Sequence, residues 1–590
     1  MLRRGFLLVL VLVLALAAAM LLSDFAKAQP VATCSGANVP VASELNSPQG
    51  LVANTCVPSW VLPPAANGVD LYFANGLYWL ADATGALTNS RLTNETCFTS
   101  GGNLVQVGPN QNCVTDLGVE AQEGRTNTIY NSSFAGGSSG VWPPHCSYYW
   151  PVGKGAATIT PSAPYMLNGM PVIDIVFAGT PSSAGTISFG CAVNTDAPAA
   201  AGQTWAITEY LMLKSGSLAG TSGWATLVSQ WNAALSQVNV VAGNSVNASV
   251  GPSGVMTNYG TVKTLVNVAA GVPTVYMTSY FQFNVTTSPL NFTLTMGYHG
   301  QELNPNIPAS VASATVATGG TCTPGSNITW TIPTVNGGTA ATVTGTVTGT
   351  TLSGTLTVTG AGSYTVDATH GLPASPVTVT GGTCTTQPTI NLVPVDNSAQ
   401  AFATTPILTT NGALARSPDS ITLPVAACSG SGSLYAIGIP AAPAGYLQYQ
   451  SIAQIDDGTS NNRLDFSRAP GGYVVANSTV GGVGVNVTAS AAPVAAGVSG
   501  KTSLFATAST LKTVYNNGTI NSGAVTGFPA GMTTLRIGIA NGGQAPFNGT
   551  ISRVAVACGQ SLLLSEAPAN NNDMFAANDN VPWLKAVGVF

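Results

Sequence analysis

The sequence predicts an all-β protein built as tandem β-sandwiches, and three observations predict it. First, apolar and polar residues alternate with a period of two in several segments. Phe281-Gln282-Phe283-Asn284-Val285, Phe292-Thr293-Leu294-Thr295-Met296, Arg463-Leu464-Asp465-Phe466-Ser467 and Leu535-Arg536-Ile537-Gly538-Ile539 each send alternate side chains to opposite faces, as half-buried strands do. Second, such segments are separated by Gly, Asn, Ser and Pro turn signals about every 8–12 residues, the spacing of sandwich strands. Third, no amphipathic stretch longer than about three helical turns follows the N-terminal apolar run. The closest candidate is 223–237, where Trp224, Leu227, Trp231 and Leu235 sit at helical spacing and predict one short helix.

Composition narrows the function. The chain has 590 residues, of which 16 are basic and 21 acidic, a charged share of 6%. An ordinary soluble domain carries roughly a quarter. With so few cations and a net charge of −5, the chain cannot release counterions along a phosphate backbone, which excludes nucleic acid as a partner. Charge-driven disorder is excluded by the 45% hydrophobic content. After residue 30 no apolar run approaches the ~18 residues of a membrane-spanning helix. Solubility must come from hydroxyls and amides, and the scarcity of carboxylates argues against a hydrolytic site.

The N-terminus points to export. Arg3 and Arg4 precede the apolar run 6–22, and Ala26-Lys27-Ala28 offers small residues for cleavage before Gln29. Residues 1–28 therefore read as a signal peptide, with a retained membrane anchor as the alternative. Signal cleavage would leave no transmembrane segment and a secreted, extracellular or cell-surface protein. Ten cysteines in an exported chain read as disulfides. No CxxC spacing occurs and there are only three histidines, so a zinc site is not expected. Order along the chain suggests pairing of neighbours: Cys34–Cys56, Cys97–Cys113, Cys146–Cys191, Cys322–Cys384 and Cys428–Cys558. In support, Cys322 and Cys384 each close the phrase Gly-Gly-Thr-Cys, and Cys428 and Cys558 each end an apolar segment.

Composition shifts divide the mature chain. Residues 29–116 form a disulfide-containing N-terminal region with little continuous core. Residues 117–302 suit a jelly-roll. The Thr/Val/Gly-rich tract 303–388 predicts a small immunoglobulin-like sandwich or a repeat-like β element. A Pro/Thr/Ala linker spans 389–417, a second sandwich 418–565, and a flexible tail 566–590. Within the second sandwich, Asn517-Gly518 is a two-residue hairpin signal.

The phrase Gly118-Val119-Glu120, then Glu123-Gly124-Arg125-Thr126-Asn127, followed by Asn131-Ser132-Ser133-Phe134 and Trp142, resembles one found in phage and prophage tail proteins. There it leads into a jelly-roll similar to carbohydrate-binding modules. Ala401 to Ile407 and Arg416-Ser417-Pro418-Asp419 resemble the connector that follows, and 420–558 resembles a concanavalin A-like (laminin-G-like) lectin/glucanase domain. The resemblance implies tandem lectin-like sandwiches. The signal peptide and cysteines depart from tail proteins, so it implies an exported, bacterial module of the same architecture rather than a tail part. The tract 303–388 interrupts the usual junction, leaving open whether the jelly-roll is split or its last strand duplicated.

The search for chemistry gives aromatics rather than acids. No Glu-x-Asp-x-x-Glu string of a concanavalin-like glucanase occurs. Gly136-Gly137-Ser138-Ser139-Gly140 satisfies G-x-S-x-G only as a Gly/Ser loop, without the strand and helix a nucleophile elbow needs. Asp456-Asp457-Gly458 with Asn461-Asn462 reads as a polar hairpin turn, with structural calcium as the alternative; no other cofactor is expected. Glu120, Glu123 and Arg125 read as structural pairs. The ligand-site candidates are Trp142, Tyr148, Tyr149 and Trp150, either a glycan platform or packing in the sandwich core, whereas Trp205, Trp224 and Trp231 read as core. The favoured function is a secreted, non-catalytic glycan-binding or adhesion protein. The alternatives are a self-associating subunit of an extracellular fibre, sheath or surface layer, and a glycan-active hydrolase.

Overall fold

A computed structural model describes residues 38–40, 46–47, 50–51, 56–58, 68–74, 77–81 and 87–559, apart from 100–102, 116, 193–196, 246–255, 259–260, 266–273, 401, 411, 517 and 544. The signal peptide 1–28, Cys34 of the Cys34–Cys56 pair and the tail 566–590 lie outside the described residues. The described chain is all-β: it contains no α-helix, only the 3-10 turns Ser398–Gln400 and Asn541–Gly543, and its strand pairs are antiparallel.

The carboxy-terminal sandwich has a nine-stranded and a seven-stranded sheet around one core. In the nine-stranded sheet Gly549–Cys558 pairs with Ser431–Pro440 on one side, and with Gly118–Ala121 and Gly68–Ala74 on the other. In the seven-stranded sheet Thr88–Asn89 pairs with Ile421–Pro424. Leu71, Phe73 and Val119 are buried in the same cluster as Ile421, Leu434 and Leu504. The boundary at 116/117 therefore does not hold as drawn. Gly68–Ala74, Leu77–Ala81, Thr88–Asn89, Val114–Thr115 and Gly118–Ala121 extend the two sheets of the carboxy-terminal sandwich, whereas Glu95–Phe98 and Leu104–Val107 pair with each other as a separate hairpin. Arg91 ties this arrangement together. Its guanidinium, 0% exposed, pairs with Glu95 and Asp419 and donates to the carbonyls of Thr93, Gly108 and Gln111.

The expected Asn517-Gly518 hairpin is present but longer. Thr510–Tyr515 pairs with Asn521–Ala524, so the connection runs 516–520, and Asn516 takes the left-handed φ of 46°. Asn517 lies outside the described residues. Asp456-Asp457-Gly458 sits in the turn between Gln450–Asp456 and Arg463–Arg468. Arg536 binds the Asp456 carboxylate (2.6 Å), and Asp457 accepts from Thr459 and Asn462.

The jelly-roll faces its own nine-stranded sheet with a six-stranded one. Between them lie Phe177, Phe281, Phe283, Phe292 and Trp224, with Trp224 stacked on Phe283 at 4.0 Å and 12°. Trp224 and Trp231 belong to the strand Thr221–Trp231, which replaces the short helix predicted over 223–237. Both faces of this strand are covered, and a register shift between Ser222 and Ala225 breaks the alternation, so its apolar residues fall at a spacing that mimics a helix.

The tract after 303 is an insertion. The jelly-roll strand Leu290–Leu303 leads into a seven-stranded sheet running from Val311–Thr318 to Thr389–Pro394. This sheet closes on Trp330, Tyr364, Val343 and Leu392. The chain then returns to the jelly-roll, where Leu414–Arg416 pairs with Arg125–Asn127. The jelly-roll is split, not duplicated. Residues 389–417 are not a free linker either: Thr389–Pro394 is a strand of the insert, and the remainder is pinned to the jelly-roll. Asn127 Nδ2 donates to Ile407 O (2.9 Å), and Ser132 N donates to Thr409 Oγ1 (2.7 Å). Among the described residues four disulfides join Cys97–Cys113, Cys146–Cys191, Cys322–Cys384 and Cys428–Cys558, covalent links suited to an oxidising compartment.

Glu123 and Arg125 form a buried ion pair where the sandwich, jelly-roll and insert connection meet. Tyr446 (2.9 Å), Asn306 (2.8 Å) and Asn548 (3.2 Å) also donate to the Glu123 carboxylate. Burial pushes this carboxyl up, but Arg125 and the hydrogen bonds outweigh it and hold the group below its usual range. Glu120, three residues earlier, has no cation bound to it, and burial pushes its carboxyl from 4.5 to about 7 against a hydrogen bond from Gln122. A carboxyl raised in the folded state takes up a proton on folding. Its contribution is therefore full below pH 4.5 and is lost as pH rises to about 7. Glu120→Gln is expected to remove this slope, making the variant more stable than the parent at pH 8 by about 3 kcal/mol relative to their difference at pH 4. Urea denaturation at the two pH values checks it, and parallel slopes would refute the assignment.

Candidate functional site

The six-stranded sheet of the jelly-roll runs in the order Ser147–Tyr149, Gly185–Gly190, Tyr276–Val285, Thr221–Trp231, Gln237–Ser245, with Ala197–Pro198 paired beside Tyr276. Its central strand alternates in burial over Tyr280–Val285, while the outward Thr278 is itself covered. Met277, Phe281, Phe283 and Val285 are buried in the sandwich, so Thr278, Tyr280 and Gln282 face outward. This outer face forms a groove of 640 Å³.

The walls and floor are aromatic, hydroxyl and amide groups. Tyr149 lies opposite Ser188, and Ser188 opposite Gln282, giving one row across three strands. Ser188 Oγ donates to Gln282 Oε1 (3.2 Å) and Ser229 Oγ to Tyr280 OH (3.0 Å). Gln237 Nε2 donates to Ser229 Oγ (2.6 Å) and Trp231 Nε1 to Thr278 Oγ1 (3.0 Å). These bonds hold the polar groups in fixed orientations before any ligand arrives. Among the described residues lining the groove there is no lysine, arginine, aspartate or glutamate.

Of the four aromatic candidates, only Tyr149 lines this groove, and it is 67% exposed. Trp150 is buried in the jelly-roll core. Trp142 and Tyr148 pack against that core from the same side, their rings 5.8 Å apart, and Lys154 Nζ donates to Tyr148 OH (2.8 Å). The four do not make one platform, because residues 148 and 149 are strand neighbours and point to opposite faces. The Cys146–Cys191 bridge, just before Ser147–Tyr149 and just after Gly185–Gly190, clamps the short edge strand that carries Tyr149. Trp231, expected in the core, is half-buried and lines the groove, whereas Trp205 and Trp224 are in the core. The period-two run at 281–285 already implied an outward Gln282; no sequence signal marked Ser188, Ser229 or Gln237.

Beneath the floor, Ser279, His299 and Glu209 meet in the sandwich interior. His299 Nε2 lies 2.8 Å from Ser279 Oγ and 3.0 Å from Glu209 Oε1, while Nδ1 accepts from Cys191 N (3.4 Å). A hydrolytic triad needs serine and acid on opposite ring nitrogens, and here both share Nε2. All three residues are at most 1% exposed. Burial pushes the Glu209 carboxyl well up, and it pushes His299 down to about 3, so the imidazole is neutral at pH 7.

Fold and groove define the class: all-β, built of sandwiches, with an uncharged groove on an outer sheet face. No family model and no curated protein matches the chain. Among solved structures it is similar to the CBM40 of the Ruminococcus gnavus IT-sialidase bound to alpha2,6 sialyllactose. That match has 15% identity and a TM-score of 0.20, covering 27% of this chain and 96% of that one. It is also similar to domains LG4-5 of the mouse laminin alpha1 chain, at 8% identity and a TM-score of 0.19, covering 90% and 93%.

Proposed function

We propose that this is an exported, non-catalytic glycan-binding protein that recognises sugars in the jelly-roll groove. The observation that carries the reading is the groove's lining, which has an exposed aromatic ring at Tyr149, a half-buried one at Trp231, and pre-oriented hydroxyls and amides between them. The apolar face of a pyranose ring stacks on an aromatic side chain, and its hydroxyls exchange hydrogen bonds with neutral polar groups. A site whose polar groups are fixed in advance loses little entropy on binding. Export accords with the disulfides and with the signal-like N-terminus. The tail-protein likeness of 118–127 fits a shared architecture for presenting such a groove, and adhesion to a surface polysaccharide is the role it would serve.

Binding to an array of immobilised neutral and acidic oligosaccharides tests the reading. Tyr149→Ala and Trp231→Ala are each expected to weaken binding about tenfold, the equivalent of one lost stacking contact. Both positions carry solvent-exposed surface, so circular dichroism should not change. Binding that survives both substitutions, or no binding to any glycan, overturns the assignment.

A further inference from the structure

A second cleft, of 510 Å³, lies between the jelly-roll and the inserted domain. Its jelly-roll wall is formed by Pro198 to Ala201 and Thr274 to Tyr276, and its opposite wall by Val335, His370 and Pro373 of the insert. Tyr276 stands on the same strand and the same face as Thr278, which lines the groove. The two are about 7 Å apart along the strand. Tyr276 also lies directly opposite Trp231, the aromatic at that end of the groove. Tyr276 borders the cleft while Thr278, Tyr280 and Gln282 border the groove, so outward positions of one strand serve both.

The far wall is fixed in place. Gln203 Nε2, on the jelly-roll, donates to the carbonyls of Asp367 (2.7 Å) and His370 (3.2 Å), and Leu372 N donates to Ala201 O (2.8 Å). A side chain at Gly202, whose φ is 85°, would collide with Leu372, so the two domains touch closely there. His370 Nδ1 is held by the Asp367 carboxylate at 2.8 Å, which leaves Nε2 as the ring nitrogen able to meet a ligand. No lysine, arginine, aspartate or glutamate lines the cleft among the described residues.

We propose that groove and cleft together hold one neutral glycan chain running along Tyr276–Val285, with the inserted domain forming an end subsite. This rests on the glycan reading of the groove and adds chain length, charge class and a role for the insert. From Tyr276 to Gln282 the surface extends about 20 Å, the length of several pyranose rings. Among the described residues lining either part there is no lysine or arginine for an anionic glycan to meet.

Calorimetric titration with disaccharide and hexasaccharide members of the cello-, xylo- and manno- series tests it on the full chain. In at least one series the hexasaccharide is expected to bind about tenfold or more tightly than the disaccharide. Val335→Arg, at an exposed position, and His370→Ala are expected to abolish that advantage while leaving disaccharide affinity unchanged. Equal affinity for both lengths, or an advantage that survives both variants, overturns the end subsite and leaves the groove reading standing. Preferential binding of polygalacturonate oligomers overturns the neutral class alone. No binding in any series, with Tyr149→Ala indistinguishable from the parent, overturns the groove reading as well.

Discussion

Arg91→Ala is expected to destabilise the protein by about 3–5 kcal/mol, the cost of leaving buried carboxylates without their cation. Arg91 is fully buried with its guanidinium on both Glu95 and Asp419, the latter at 2.5 Å. Asp419 in turn accepts from Asn89 Nδ2 (3.1 Å) and Gln122 N (3.0 Å). One guanidinium thus joins the strand Glu95–Phe98, the chain leaving Gly118–Ala121 and the segment leading into Ile421–Pro424. Burial, and next Asp419 beside it, already push the Glu95 carboxyl well above its usual range, against the pull of Arg91. Without Arg91 two acids face each other in the interior. Adding Glu95→Gln to Arg91→Ala should therefore recover part of the loss, because one of the two facing acids is removed. Urea midpoints of parent, single and double variants measure this. A single-variant loss below about 1 kcal/mol, the scale of an exposed pair, would show that the contact is not structural.

Removing the Cys428–Cys558 bridge by paired alanine substitution is expected to cost about 5 kcal/mol, since a long closed loop loses most entropy in the unfolded chain. The two cysteines are 130 residues apart, against 16 for Cys97–Cys113. The shorter bridge should be worth about 3 kcal/mol by the same relation. The ranking is the decisive result. Equal losses, or a larger loss at Cys97–Cys113, would mean that native contacts rather than loop closure dominate. Cys558 ends the strand Gly549–Cys558, which is hydrogen-bonded on both sides, so its release also exposes strand edge.

Much of the local structure was legible in the residues. Phe281 to Val285 alternates because one face meets a core and the other does not; Arg463 to Ser467 is also a strand, but its polar positions Asp465 and Ser467 are buried as well as its apolar ones. What lay hidden follows from long-range pairing. Nothing near Val69 signals that it lies opposite Val556, because strand partners are chosen by complementary apolar faces and not by nearness in sequence. The aromatic run at 142–150 drew attention through density alone. Period two puts Tyr148 and Tyr149 on opposite faces, so such a run cannot present all its rings together. Trp231 was obscured for the opposite reason: its strand is covered on both sides at its centre, and the resulting apolar spacing imitates a helix. The groove itself is made from five strands, and its polar members are ordinary serines, threonines and glutamines until the sheet assembles them.

The pairing of Gly68–Ala74 with Gly549–Cys558 also sets an order of assembly. Such a sheet cannot be completed until nearly the whole chain is available, and closing so long a loop is entropically slow. The jelly-roll and its insert draw their strands from the interval between, so they can fold while the early strands wait with their edges open. Those unpaired edges are where a chain delayed in synthesis or translocation would associate with another copy. Completion of the carboxy-terminal sandwich thus waits on the synthesis of Gly549–Cys558.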